Sequence, residues 1–431
     1  MTSRIPGFYR LPPEARLAAL QEHGRLPASE LEAYRSGGLT VEQANVMVEN
    51  VISTFALPNA VAVNFLINGH DRVVPMAVEE PSVVAAVSNM ARLTRAAGGF
   101  EAEADPSVMI SQIQLVDVAD PDACVRRLEA ARDRLFALAA AVHPRLQARG
   151  GGLRGLETRR VTYDEPGRPR EDMVVLHLLL DCVDAMGANM LNTLAERLAP
   201  HVETITGERV GLRILSNLAD RRLARARCRL EPEHLGTATT DGRLVAEGIA
   251  SAWRFAWADP YRAATHNKGV MNGIDAVAIA TGNDWRAIEA GAHAWCCRDG
   301  QYRPMTRWEI APDGALHGSI ELPLQMGTVG GPIRVHPTVR SNLALLGVQS
   351  ARELSAIAAA VGLAQNLGAL RALATDGIQR GHMRMHARTV AATAGAERHE
   401  IEAVSLALVE SGDFSVERAR AALDALRAPA G

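Results

Sequence analysis

The residues from Asp259 to Asp275 read Asp-Pro-Tyr-Arg-Ala-Ala-Thr-His-Asn-Lys-Gly-Val-Met-Asn-Gly-Ile-Asp, a polar run set between apolar ones. Arg262 offers a planar fork suited to a carboxylate. Lys268 offers a compact positive charge of the kind that stabilises an oxyanion, and Gly269 and Gly273 beside it let backbone or ligand approach. Asp284, in Ala280-Thr281-Gly282-Asn283-Asp284-Trp285, is the expected counter-ion of Lys268 if the fold brings it back. Asn267, Asn272 and Asn283 are placed to orient both. The plain alternative is a helix start rich in caps and surface charge. Against it stands the concentration of unlike polar groups in so apolar a region.

Further candidates flank this run. Val73 to Val78 reads as a strand ending in Glu79-Glu80-Pro81-Ser82. Proline holds the residue before it extended, and adjacent residues on an extended chain face opposite ways, so one of the two glutamates faces a site. Asp184-Ala185-Met186-Gly187-Ala188-Asn189 follows a strand and opens a helix, where free backbone N–H groups favour a pyrophosphate. Asp184 is alternatively a cap for that helix. Gly150 to Gly155 satisfies G-x-G-x-x-G as a string, yet it runs from helix to strand, the reverse of the dinucleotide fingerprint, and is read as a flexible loop. His382 and His386 are one helical turn apart, but no third ligand accompanies them, so no metal site is expected.

The elements that must position these groups follow from periodicity and turn chemistry. Ser29 to Glu32 and Thr40 to Gln43 fit capping boxes in a helical start. From residue 108 the texture becomes strand 108–118, helix 121–148, strand 157–163, strand 174–181, helix 186–202 and strand 210–215. That β-α-β-β-α-β order is the ferredoxin-like signature. Beyond Asp220 the chain reads as Ala-rich helices with one hairpin, Trp308 to Ile310 and Leu316 to Leu322. Gly377 and Gly381 suggest a hinge before three short helices. The fold class is therefore α+β, with a mainly helical large domain, an inserted ferredoxin-like unit and a small helical C-terminal flap. Boundaries are expected at 1–107 and 219–376 for the large domain, 108–218 for the insert and 377–431 for the flap.

With 431 residues, 48% of them hydrophobic, the chain can bury two or three cores, and a net charge of −3 supplies no field for nucleic acid or an anionic membrane. Five cysteines without C-x-x-C spacing suit a reducing compartment. The N-terminus lacks a signal-peptide core, and no uncharged apolar run looks long enough to span a bilayer. A cytoplasmic, soluble protein is expected.

The segment Pro260 to Gly269, together with Asp184 to Asn189, Val78 to Ser82 and Gly381-His382-Met383, resembles hydroxymethylglutaryl-CoA reductase, and within it the soluble bacterial second class. Four motifs in the family's order carry the resemblance over nearly the whole chain. It implies interconversion of hydroxymethylglutaryl-CoA with mevalonate and CoA through hemithioacetal and mevaldehyde, in a homodimer or an assembly of dimers whose site lies between subunits. Glu80, Lys268, Asp284 and His382 would be catalytic, His382 on the closing flap. Arg262, Ser82, Asn272 and Asn366 would hold the substrate, and Arg10 the CoA phosphates unless it is an ordinary surface arginine. Asp184, Met186, Gly187, Ala188, Asn189, Asn217 and His143 would hold the nicotinamide cofactor. NAD is expected, with NADP the alternative, because His143 stands where NADH-using relatives carry an acid and Arg145 and Arg149 are near. A related acyl-CoA or aldehyde reductase, and a non-catalytic binding protein, are the competing readings.

Overall fold

The computed structural model describes residues 2–375, 377–397 and 399–428, with the side chains of all of these but Pro332 and residues 378–385. Its strands are β1 (Asn59–Ile67), β2 (His70–Ala77), β3 (Phe100–Ala104), β4 (Val108–Val116), β5 (Gly152–Tyr163), β6 (Glu171–Asp181), β7 (Arg209–Ser216), β8 (Leu223–Leu230), β9 (Thr306–Ile310) and β10 (Leu316–Pro323). They form one six-stranded sheet, ordered β2-β1-β3-β8-β10-β9, and one four-stranded sheet, ordered β5-β6-β4-β7.

The smaller sheet is antiparallel throughout and has the expected ferredoxin-like order. Helix Ala188–Thr206 packs Leu191, Leu194, Leu198 and Val202 onto it, closing a hydrophobic core built entirely from residues 109–219. The helical run expected over 121–148 is broken into Pro121–Ala130, Arg132–Val142 and Pro144–Gln147, the last break falling before a proline, where helix is disfavoured. The glycine run is the expected loop only at Gly150 and Gly151. Gly152 and Gly155 lie inside β5, and Gly155 sits at a register shift where a Cβ would come 2.8 Å from Leu179 Cδ1.

The larger sheet overturns the helical reading of the chain after Asp220. In β8, Ala224, Ala226, Cys228 and Leu230 are buried, while Arg225, Arg227 and Arg229 alternate to the other face. There Arg225 pairs with Asp105 and Glu321, Arg227 with Glu101, and Arg229 with Asp313. Period-two alternation with cross-strand ion pairs is a strand pattern, which alanine content had masked. The β1–β2 hairpin turns on Asn68-Gly69, both with positive φ, the two-residue turn that matches strand twist.

Over the buried face of this sheet lie helices Val83–Thr94, Gly242–Ala258, Pro260–Ala280 and Ala351–Leu373. The last is 23 residues long and apolar enough to cross a membrane by length and composition, though Arg352, Glu353 and Arg371 keep it from being the uncharged run the sequence lacks; most of it is buried in the core. It meets Pro260–Ala280 at two glycines, Gly273 and Gly362. At the N-terminus, Thr40 and Gln43 form a reciprocal capping box (3.2 and 3.1 Å). Ser29 makes none, because a 3-10 turn, Ala28–Glu30, occupies its place. The helices after Gly377 close a small core of their own around Val390, Val404, Leu408 and Leu423. Asp376, at the expected hinge, lies outside the described residues.

A Cβ at Gly273 would stand 2.9 Å from Gln365 Cβ and 3.0 Å from Val361 O. Gly273→Val should therefore cost about 1–3 kcal/mol through overpacking, read as a lowered thermal midpoint of the purified chain. An unchanged midpoint would show that the two helices are free to separate.

Candidate active site

A helix, not a loop, carries the polar run. Pro260–Ala280 begins with proline in its first turn, and the Asp259 carboxylate accepts from Arg262 N at 3.0 Å. Lys268 and Asn272, four residues apart, share one face. Lys268 Nζ is ion-paired with Glu80 Oε2, and Asn272 Nδ2 donates to the same oxygen at 3.3 Å. Glu80 reaches them from the turn between β2 and helix Val83–Thr94, while Glu79 is exposed, so one of the adjacent carboxylates joins the cluster. Ser82, the N-cap of that helix, has φ 72° and spends no side-chain hydrogen bond on capping. A non-glycine residue held in this region is strained, and such strain gathers at functional sites. The Lys268 side chain is 61% exposed, and beside it a Cβ on Gly269 would meet nothing within 4 Å, so there is room for a ligand.

Arg262 is half-buried and has no carboxylate partner among the described residues. Burial holds its guanidinium below the usual value, which leaves a cation that an incoming carboxylate would satisfy. One turn on, His266 is buried with Nε2 2.7 Å from Thr306 Oγ1; burial, then Arg262, push it down to about 3, so it stays neutral and structural. Asn366 belongs to that same core network. Its Oδ1 accepts from Thr306 Oγ1 (2.8 Å) and Trp308 Nε1 (2.7 Å), so this oxygen is committed inside the fold. Arg10 is exposed and donates to Tyr9 OH at 3.0 Å, and no contact joins it to the Lys268 cluster. The side chain of His382 lies outside the described residues; His386 packs against Phe414, with ring centroids 6.2 Å apart.

Asp284 does not meet Lys268, and the reason is geometric. Lys268 sits within a continuous helix that runs on to Ala280, and Asn283 N returns only to Ala278 O (2.8 Å). At about 1.5 Å per residue the intervening helix sets them about 15 Å apart along the axis, beyond the reach of the two side chains. The exposed Asp284 carboxylate instead caps helix Trp285–Trp295 through Ala287 N (3.1 Å).

Asp184, Ala185, Met186 and Gly187 link β6 to helix Ala188–Thr206. Asp184 does not cap that helix: its Oδ1 accepts from Ala351 N at 3.0 Å, at the start of another helix. The N-cap is Gly187, φ 107°, which offers no side chain, so the first-turn N–H groups are uncapped and fit an anionic pyrophosphate. Glycine is also required here by the chain itself, since a Cβ would lie 2.4 Å from Cys182 Sγ. Asn189 and Asn217 are exposed, and His143 Nε2 is 2.9 Å from Met190 O, beside the same helix end. Arg145 and Arg149 are exposed nearby in sequence.

Residues 12–387 match the family model for hydroxymethylglutaryl-coenzyme A reductase. The chain is 48% identical over 427 residues to the 3-hydroxy-3-methylglutaryl-coenzyme A reductase of Archaeoglobus fulgidus, covering 99% of this chain and 95% of that one. It is 36% identical over 344 residues to a probable reductase of the same name from Borreliella burgdorferi, covering 80% and 77%. The solved reductase of Streptococcus pneumoniae superposes with a TM-score of 0.83 at 40% identity, covering 98% and 99%. A class II structure from the same organism, bound to NADPH in open conformations, superposes with a TM-score of 0.81 at 41% identity, covering 97% and 100%.

A network that sequence reasoning passed over continues along the helix face that carries Lys268 and Asn272. Asp275 donates to Glu289, which also accepts from His293 Nε2 at 2.6 Å, and His293 Nδ1 is 2.7 Å from Tyr302 OH, which bonds in turn to Asn267. Burial first, then Glu289, push the Asp275 carboxyl up to about 9. Burial opposes ionisation of Glu289 too, but the donors His293 and Asp275 outweigh it and hold that carboxyl below its usual value. The folded chain thus keeps a proton on Asp275 that the unfolded chain releases near pH 4, so this group's contribution to stability falls as pH rises from about 4 to about 9. Asp275→Asn keeps a donor and removes the ionisation. Its thermal midpoint should exceed that of the wild type at pH 8 by more than at pH 5; a gap that does not change with pH would contradict a protonated Asp275.

Proposed function

The chain belongs to the hydroxymethylglutaryl-CoA reductase family, and from that membership and the site geometry we propose that it interconverts hydroxymethylglutaryl-CoA with mevalonate and CoA. The observation that carries this reading is the open Lys268–Glu80–Asn272 cluster on the same helix as Arg262, a half-buried cation with no carboxylate partner among the described residues. Two equivalents of reduced nicotinamide, bound one after the other at the Gly187 turn, would supply the two hydrides that turn a thioester into an alcohol, one each. Each addition puts negative charge on a carbonyl oxygen. Lys268, with a compact charge and an open neighbour at Gly269, stabilises that oxyanion, and Glu80, already hydrogen-bonded to it, passes a proton to the oxygen. Arg262 binds the free carboxylate of the acyl group, with the Ser82 hydroxyl available on the facing turn. His382 serves as the acid for the departing CoA thiolate, an imidazole near pKa 6.5 being matched to a thiol near 8.5.

Asp284 takes part through a second copy of the chain. Two sites related by a twofold axis would each receive Asp284 from the neighbouring subunit, since the helix between Lys268 and Asp284 forbids the contact within one. The exposed run around Ile52 (95% exposed) and Phe55 (91%) provides apolar surface that such an interface would cover.

NAD(H) is the expected cofactor. NADP(H) is the second reading, favoured by His143, Arg145 and Arg149 near the helix Ala188–Thr206 and by the NADPH held in the pneumococcal relative.

Nicotinamide absorbance with mevalonate and CoA, run in parallel with NAD and NADP, tests both points. Reduction should require mevalonate and CoA together, and Lys268→Ala should lower kcat by about 10²–10³-fold. A folded protein silent with both nucleotides would sink the reaction. After subunit exchange, Lys268→Ala mixed with Asp284→Ala should regain about a quarter of wild-type activity, because half the dimers are mixed and each has one intact site of two. No recovery in mixed dimers would place Asp284 outside the Lys268 site.

A further inference from the structure

Arg222 is 2% exposed and lies between the two cores, just before β8. One guanidinium nitrogen donates to Ala185 O (3.1 Å) and Met186 O (3.3 Å), and the other to Met326 O. Burial pulls it down to about 10, with Cys182, Asp181 and Asp184 the ionisable groups acting on it. A buried cation whose hydrogen-bond partners are carbonyls alone is a costly choice for a core, and burial cannot explain its retention.

The same turn is gripped from a second side. Thr328 N and Val329 N donate to Asp184 O (2.9 and 3.3 Å), and Ala185 bridges to Val329 in parallel fashion. A Cβ at Gly327 would lie 2.7 Å from Met186 N, so only glycine lets the strands of this clamp meet. Asn283 then pairs with Gly327 in both directions, accepting from its N–H (2.6 Å) and donating to its carbonyl (3.1 Å). The next residue is Asp284.

We infer that Arg222 and the Asn283–Gly327 pair form a strut by which the large domain sets the nucleotide-binding turn, Arg222 acting as a positioning residue for the cofactor's pyrophosphate. The carbonyls of Asp184, Ala185 and Met186 are turned toward the large domain, and the uncapped first-turn N–H groups of Ala188–Thr206 are left for the ligand. The fixed positive charge behind the turn adds to the positive end of the helix dipole. The strut also ties the turn to the segment carrying Asp284, so cofactor and acid are placed by one connected piece of backbone.

This rests on the reading of the Gly187 turn as a nicotinamide-nucleotide site, and the experiment separates the two. NADH and NADPH are titrated into the full-length wild type, Arg222→Met, Arg222→Lys and Gly327→Ala by nucleotide fluorescence, and kcat and KM are measured for nucleotide and for hydroxymethylglutaryl-CoA. Arg222→Met should raise nucleotide Kd and KM at least tenfold while KM for hydroxymethylglutaryl-CoA stays within twofold. Arg222→Lys, which keeps the charge but reaches fewer carbonyls, should recover part of the loss. If Arg222→Met does not fold, Gly327→Ala carries the test with the same expected split. Folded variants with wild-type nucleotide Kd, or with equal losses toward both substrates, would overturn the strut alone. A wild type that binds neither nucleotide would overturn the strut together with the site reading beneath it.

Discussion

Close contact between helices Pro260–Ala280 and Ala351–Leu373 is the constraint on which the rest of the site depends. Gly273 lies against Val361 and Gln365, and Gly362 lies against Ile274 and Val270, with a Cβ at Gly362 only 2.8 Å from the Ile274 side chain. Two glycines weaken a helix by about 1 kcal/mol each relative to alanine, so this approach is maintained by packing against helix propensity. Once one side of Pro260–Ala280 is fixed on its neighbour, the remaining faces are fixed too. Lys268 and Asn272 must meet Glu80, His266 must turn into the core toward Thr306, and Asp275 must find Glu289. The Lys268–Asn272 chemistry and the Asp275 network, which share one face at i, i+4 and i+7, and His266 on another face are consequences of a single rotational setting of the helix.

Some of this was legible in the sequence for specific physical reasons. Thr40 and Gln43 carry their own local partners, so the capping box could be read without the fold. The insert was legible because its strands and helices follow simple periodicities and its core closes on itself. Pro81 and the divergence of adjacent residues showed that one of Glu79 and Glu80 would face a site, and the family resemblance, not the geometry, chose Glu80. What escaped was non-local. The alternation of arginines in β8 makes sense only beside Glu101, Asp105, Glu321 and Asp313, which come from distant segments. The Ser29 box failed because a short 3-10 turn competes for the same residues.

The Asp284–Lys268 contact is absent within one chain for a different reason, a length that the sequence already contained. A helix spanning 260–280 separates two residues sixteen positions apart unless the chain doubles back over its full height, and Asn283 returns only as far as Ala278. Proximity in sequence along a helix is not proximity in space. The strut residues were hidden more deeply. Arg222 sits in an Arg-Arg pair that looks like surface charge, and Gly327 in a glycine loop that signals a close approach of ligand or backbone without saying of which. Only the carbonyl ring around the buried guanidinium separates Arg222 from its neighbour Arg221, which pairs with Glu157 at the surface.

These observations bear on why the charges of one chain are so incompletely matched. Lys268 and Glu80 are paired yet open, Arg262 is half-buried with no carboxylate partner among the described residues, and Asp284 caps a helix with Arg286 only loosely paired to it at 3.9 Å. Folding alone would favour pairing or solvating each of them fully, since a half-desolvated cation gives up hydration without Coulombic return. On the proposed reading, groups poised in this way gain their partners when substrate binds, which concentrates binding free energy on its carboxylate and reacting oxygen. Electrostatic stabilisation of a transition state works best with donors fixed beforehand, because no reorganisation is needed as charge develops. Rigid helix packing supplies that fixity, and the unmatched charges are what it holds in place.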